Sequence, residues 1–452
     1  MRRYWVLPAI LGVALLGTGI WGYSQFTQRR ALEVNLSNQY QRAFYEMVDH
    51  VEKVQTILGK SQVAVNPKAQ AGLYSDLWYQ SLSAQENLSQ LPVNNAAIAR
   101  TSKFLNQLGD YAYALNKQTA SGKPPGEKDI NQLNKLYVRS VKLHDELQRA
   151  QMDILDGRLS VAELQQEANA GLWRRAAELK SKPLGLQEKQ MDNYPTLIYD
   201  GPFSDHMERQ KPRGVTGQLI SNIKAHEIAR AFIDNPRGWI WQVKNTGDKK
   251  GKIPAYGLEL WPANTQVNER VVMDVSKTGG HVLYMLNTRP VGDAKISMEE
   301  AKSRVLKFLK SRGIENMEPT YMLKQNKVAV ISCVYKQDDV VVYPDLIKVQ
   351  VALDDGQVVG YEATGYLMAH TDRKLEKPKI TAEEAKRSVT ARLQVQRVQL
   401  ALIPTESAKE ILTYEVKGTL NGETYFVYVN AKNGQEEKIL KVLNTPDGTL
   451  TM

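Results

Sequence analysis

The sequence predicts an α+β chain: an N-terminal transmembrane helix, an antiparallel helical bundle, then three small α+β repeats. Three observations predict it. No charged residue falls between Tyr4 and Phe26. From Leu36 onward, apolar residues recur at steps of three and four, the period of a helix with one buried face. In the C-terminal half the period shortens to two, and the string Glu-Glu-Ala-Lys occurs twice, at 299–302 and 383–386. A chain of 452 residues is too long for one ordinary core, so several domains are expected. The divisions read as an anchor over 1–27, a helical bundle over 28–179, an ordered linker over 180–217, and repeats over 218–292, 293–372 and 373–452.

The run from Trp5 to Tyr23 is about long enough to cross a bilayer as a helix. Trp5, Trp21 and Tyr23 sit where interfacial aromatics belong, and Pro8 falls near the helix start. Arg2 and Arg3 favour a cytoplasmic N-terminus, against Arg29 and Arg30 at the other end. The rival reading is a cleaved signal peptide with Gly22 and Ser24 at its site, which Tyr, Trp and Gln around them fit poorly. Either way the remainder is exported.

In the helical region Leu36, Tyr40, Phe44, Met47, Val51, Val54 and Leu58 form one stripe, which stops at Gly59. Asn66-Pro67 restarts a helix carrying Leu73, Leu77, Trp78 and Leu82, and Leu91-Pro92 ends it. A third helix carries Ile98, Phe104, Leu105, Leu108, Tyr111 and Leu115, closed by the loop Ser121–Gly126. A fourth carries Ile130, Leu133, Leu136, Val141, Leu147 and Ile154, with Asp156-Gly157 breaking it before Leu159–Leu179. Short connections between such helices predict antiparallel packing. His50 and His144 read as surface or boundary residues.

Ser297 with Glu300, and Thr381 with Glu384, have capping-box spacing. Each opens an amphipathic helix: Ala301, Val305, Phe308 and Leu309 in one, Ala385, Val389 and Leu393 in the other. Strands follow, running into Asp354-Asp355-Gly356 and Asn433-Gly434, residue pairs that favour tight turns. A degenerate third copy is read from His226 to Gly280, with Ala229 in the place of Ala301 and no capping box.

No catalytic constellation is present. There is no Gly-x-Ser-x-Gly elbow and no His-Glu-x-x-His, and Gly59-Lys60-Ser61 lacks the upstream Gly of a phosphate loop. The single cysteine, Cys333, excludes an intramolecular disulfide and reads as a buried thiol. Asp338-Asp339 and Asp354-Asp355 read as turns rather than calcium ligands. No cofactor or metal is expected. The formal net charge of +10 divides evenly about Lys180, which suits lipid headgroups or wall polymers and, without a groove-reading motif, not nucleic acid.

The linker holds the densest signal. Tyr194, Pro195, Leu197, Ile198, Tyr199, Asp200, Gly201, Pro202, Phe203, Asp205 and His206 fall in one stretch with neither a helical nor a strand period. Asp200-Gly201-Pro202 is a turn by chemistry, and the aromatics need a surface to cover them, for which the first repeat or a partner is the expected place. Asp205-His206 reads as a structural hydrogen bond.

The two boxes and their turn spacing resemble PepSY domains, small α+β modules of exported proteins. The linker, with the anchor, helices and repeats, resembles a spore-germination family that carries such modules, over essentially the whole chain. The resemblance implies a non-catalytic protein of the spore inner membrane and cortex region, possessing a cortex-lytic peptidoglycan hydrolase (SleB-like) as partner, each needed for the other's stable presence. Two alternatives stand beside it: an enzyme acting on peptidoglycan or peptides, and a sensory ectodomain.

Overall fold

A computed structural model of the chain describes residues 6–91, 96–156, 211–263, 269–405, 409–445 and 448–452. Two compact units divide it, one containing the four long helices and one containing all the strands.

In the helical unit α1 (Val6–Ser61) runs unbroken through residue 27, so no change of structure marks the expected end of the anchor. Among the described residues no helix is long and apolar enough to cross a membrane. The side chains of residues 6–17, most of the apolar run, lie outside the description. Pro67 opens α2 (Pro67–Gln90), where its missing N–H does no harm. After α3 (Ala96–Ala120), α4 (Glu127–Leu155) is capped by the Asp129 carboxylate, which accepts from the Gly126 N–H at 2.9 Å and from the Tyr111 hydroxyl at 3.0 Å. The stripes meet in two clusters. Phe44, Met47 and Val51 pack with Leu88, Leu105 and Leu147, and Val54 and Leu58 pack with Leu77, Leu108 and Leu133. Three residues of the expected stripes face outward instead. Leu36 lies exposed on α1, and Trp78 and Leu82 sit one helical step off the buried line through Leu77, Ser81 and Ala84; Trp78 covers itself partly against Tyr113. His144, expected near the surface, is buried on the line of Leu143 and Leu147. The expected helix Leu159–Leu179 lies outside the described residues.

The strand unit is one motif built three times. The first copy is α5 (Asn222–Phe232), β1 (Trp241–Lys249), β2 (Ala255–Pro262), β3 (Val271–Ser276) and β4 (Val282–Asn287). The second is α6 (Met298–Ser311), β5 (Met317–Gln325), β6 (Val328–Gln337), β7 (Val340–Ala352) and β8 (Val358–Glu362). A short α7 (Thr364–Ala369) leads to the third, α8 (Ala382–Ser388), β9 (Gln394–Pro404), β10 (Glu410–Leu420), β11 (Glu423–Asn430) and β12 (Glu436–Thr445), with β13 (Gly448–Thr451) after it.

The sequence pattern misplaces the first copy by one helical turn. Its helix is capped by Ser221, whose hydroxyl accepts from the Lys224 N–H at 3.2 Å, as Ser297 does from Glu300 and Thr381 from Glu384. The residue matching Ala301 and Ala385 is therefore Ala225, not Ala229, and all three of those alanines are fully buried. Lys224 stands where the box needs an acid, which hides the cap from a motif search. The reciprocal half of the box forms only at Thr381, whose N–H donates to Glu384 at 2.7 Å; Glu300 turns instead to Arg304 at 2.9 Å. The third helix is also shorter than expected. It ends at Ser388, so Val389 and Leu393 reach the core from a turn.

A second element recurs. The last hairpin of each copy turns on Gly280, Gly356 or Gly434, each at positive φ. The residue before each cap donates its N–H to that turn: Ile220 to the Lys277 carbonyl, Ile296 to Leu353, Ile380 to Ala431.

The strands form one sheet in the order β1-β2-β3-β4-β8-β7-β6-β5-β13-β12-β11-β10-β9. Copies one and two join edge to edge through β4 and β8, which pair Tyr284 with Glu362 and Met285 with Tyr361. Both helices lie over that joint, and one core contains Ala225, Phe232, Ala301, Phe308, Met273, Val349 and Tyr361. Phe232 meets Phe308 edge-on at 5.5 Å and Tyr361 at 4.8 Å. Arg312 closes the joint, donating to the Phe232 and Ile233 carbonyls at the end of α5. Copy three attaches differently, β9 running parallel to the start of β7 through Val341–Ala401 and Val342–Leu402.

Candidate interaction surface

The linker residues singled out from the sequence, Tyr194, Pro195, Leu197, Tyr199, Asp200, Gly201, Pro202, Phe203, Asp205 and His206, lie outside the described residues. The structure places other residues at the joints between copies, of which the sequence marks only Asp354-Asp355, as a turn.

At the joint of copies two and three, Asp345 on β7 is wholly buried. Arg373, in the connection after α7, donates to both its oxygens at 2.9 and 2.7 Å, and to both oxygens of Glu410 on β10 at 2.9 Å each. Arg213 reaches Glu410 as well, at 2.7 Å. Burial alone would raise the Glu410 carboxyl; hydrogen bonds and charge from Arg373 and Arg213 outweigh it and hold the group below its ordinary range. His370 Nδ1 lies 2.7 Å from Asp345, with the ring stacked on Tyr366 and edge-on to Tyr335. A carboxylate orienting an imidazole supplies two of the three members of a nucleophilic triad. Among the described residues no Ser, Thr or Cys hydrogen-bonds this ring.

Beside it Glu415, also buried, accepts from the hydroxyls of Tyr343 on β7 and Tyr428 on β11, and from Arg397 and Gln399 on β9. Burial, then the Glu415 charge, pushes both phenols well above their usual range.

At the joint of copies one and two, Arg289 donates to Asp354 at 2.9 and 2.8 Å, to Asp355 at 2.6 Å and to Gln357 at 2.8 Å. The Arg289 hydrogen bonds hold Asp354 well below the usual carboxylate range, against burial and with help from the Gly292 N–H. Asp354-Asp355 is thus a turn, as expected, and also an ion-pair anchor. Asp338 and Asp339 both take positive φ in the two-residue turn between β6 and β7. Among the described residues no cluster of His, Cys, Asp and Glu could hold a metal. Cys333 is buried, and burial pushes its thiol up to about 12.

These joints set an acid limit. Asp354 and Glu410 are depressed in the folded chain, so their stabilisation is present above the unfolded carboxylate pKa of about 4 and is lost as pH falls below it. The urea midpoint is expected to drop between pH 5 and pH 3, and less steeply in Arg289→Met, where Asp354 has lost its partner. Equal slopes in the two proteins would show that the pair contributes nothing to acid sensitivity.

A Ser/Thr-capped helix laid on a four-stranded antiparallel meander, three times over, defines a PepSY-type protein. Family profiles agree: residues 183–376 match "YpeB sporulation, PepSY1 and PepSY2 domains", 379–440 match "Peptidase propeptide and YPEB domain", and 28–163 match "YpeB N-terminal". The chain is 32% identical over 443 residues to the sporulation protein YpeB of Bacillus subtilis (strain 168), and 31% identical over 454 residues to that of Halalkalibacterium halodurans, covering 97% of each chain in both cases. The chain belongs to the YpeB family of sporulation proteins. Among solved structures, the Bacillus megaterium YpeB C-terminal domain matches 50% of this chain and all of its own, at 30% identity and a TM-score of 0.46.

Proposed function

We propose that this protein is a non-catalytic, membrane-anchored protein of sporulation and germination. It binds a cortex-lytic peptidoglycan hydrolase (SleB-like) and stabilises or restrains it until the cortex is degraded. The apolar N-terminal run supplies the anchor in the spore inner membrane, an antiparallel helical bundle stands outside it, and the repeats reach into the cortex region. The linker Tyr194–His206 docks its aromatics on the first repeat. Support for that docking comes from the chain that follows it, where the Gln218 carbonyl accepts from the Gly279 N–H and the Thr216 carbonyl lies 2.8 Å from the His281 ring, both on the first copy.

One observation carries the reading. Asp345 and Glu415, both buried, and the half-buried Glu410 and Arg373 are acid–base groups by chemistry, and they hold the copies to one another. Such groups make a fixed scaffold rather than a reacting centre. The Asp345–His370 pair favours the second reading, an enzyme acting on peptidoglycan or peptides.

The test uses the full chain in detergent, with purified hydrolase and cortex peptidoglycan. Co-elution with the hydrolase and no muropeptide release by the chain alone are expected. Release of muropeptides by the chain alone, lost in His370→Ala, would establish the enzyme reading and sink the scaffold.

A further inference from the structure

Strand β1 is the one described strand with hydrogen-bonding neighbours on a single side; β5, β9 and β13, which could have been edges, each meet a second strand. The open side can be assigned residue by residue. The Ile240 carbonyl accepts from Ala263, so Ile240 faces the β2 side. Backbone direction alternates along a strand, so Gln242 and Lys244 also face β2, while Trp241, Val243 and Asn245 face out. The register agrees, because Trp241 lies opposite Pro262, which has no N–H to give. Of the outward groups, the Trp241 carbonyl is taken by Arg230 at 3.0 Å. Val243 and Asn245 are left with backbone donors and acceptors that no described strand pairs.

The charge around this edge is mainly basic. Lys249 and Lys250 lie exposed at the end of β1 and just past it; Lys244 is paired with Glu259 on β2 at 2.7 Å, and Asp248 is held by Lys277. Ile240, at the start of the strand, is 76% exposed. A shift in register between Asn245 and Gly247 bends the far end. Lysines and a bulge on an edge discourage pairing with a like-charged strand, a second copy of this chain included. They do not discourage an acidic one, for which the same lysines are a complement.

We propose that β1 is a docking edge for an extended, acidic segment of a protein partner, added to the sheet as a further strand through the backbone of Val243 and Asn245. The proposal rests on the reading of this protein as a partner-binding scaffold and names the surface and chemistry of the contact.

The test uses the full chain and three synthetic nine-residue peptides alternating Val with Glu, Val with Lys, or Val with Glu N-methylated on alternate residues. The Glu peptide is expected to bind, to slow amide exchange at Val243 and Asn245, and to weaken with added salt. The other two peptides should not bind. Val243→Pro removes an outward N–H without touching the ladder to β2, and should abolish binding. If that variant does not fold, Lys249→Glu with Lys250→Glu, both exposed, should weaken the Glu peptide by about tenfold, the effect of reversing two surface charges. Equal binding of the Glu and Lys peptides, or exchange at Val243 already slow in the free chain, overturns the proposal. Hydrolase co-elution that persists in Val243→Pro would overturn it too while leaving the scaffold reading intact; failure of co-elution in the wild type would count against the scaffold itself.

Discussion

Replacing Arg373 with Met is expected to destabilise the strand unit by about 3–5 kcal/mol, the usual result of removing one member of a buried charge pair. Asp345 has no exposed surface, and Arg373 supplies two of its three side-chain hydrogen bonds. Glu410 would keep only Arg213. Arg373 also donates to the Ala369 and Thr371 carbonyls, so the connection after α7 would loosen with it. The loss is read from chemical unfolding at pH 7. Adding Asp345→Leu should recover part of it, because the buried charge then disappears with its partner. A loss under about 1 kcal/mol, in the range of an exposed ion pair, would mean that water reaches Asp345.

The second large effect is expected at Gly279. Gly279 and Gly313 have almost the same backbone, φ 73 and 74. Their surroundings differ. A methyl on Gly313 meets nothing within 4 Å, whereas on Gly279 it would overlap the Thr216 carbonyl oxygen and crowd the His281 ring. Gly313→Ala should therefore cost only the left-handed penalty of roughly 1–2 kcal/mol. Gly279→Ala should cost more than twice as much, because residues 213–220 must also move. That strap is held by Gly279 N–H to Gln218 at 2.8 Å, Ile220 N–H to Lys277 at 2.9 Å and His281 to Thr216 at 2.8 Å. Thermal melts give the two costs, and amide exchange over 213–220 locates the difference. Equal costs would show that the strap yields freely.

What could be read from the sequence was local. The caps at Ser297 and Thr381, the hairpin at Gly356, the helix start at Pro67 and the end of α2 at Gln90 depend on neighbours within a few residues, and each lies where its chemistry puts it. The cap at Ser221 was legible in part: the hydroxyl was there, but Lys224 replaced the acid that signals a box. The ion pairs at the joints were not legible. Asp345 meets Glu410 through Arg373, and Tyr343 meets Glu415, across spans of more than sixty residues that no period or motif encodes. An isolated Asp in Val340–Ala352 looks the same in sequence whether it faces water or an arginine. The linker aromatics stood out by density, yet what they cover is a question of surface, which composition does not answer.

The edge-to-edge pairing of β4 with β8 has a consequence for what counts as one module. β4 is the last strand of the first copy and β8 the last of the second, so the first copy waits for the whole of the second to be made before its sheet is continued. Phe232 and Phe308 likewise need each other to be out of water. A chain cut between the two copies would leave each with a bare strand and half a core. The pair is expected to melt in a single transition. A duplication visible in the sequence has become indivisible in the fold.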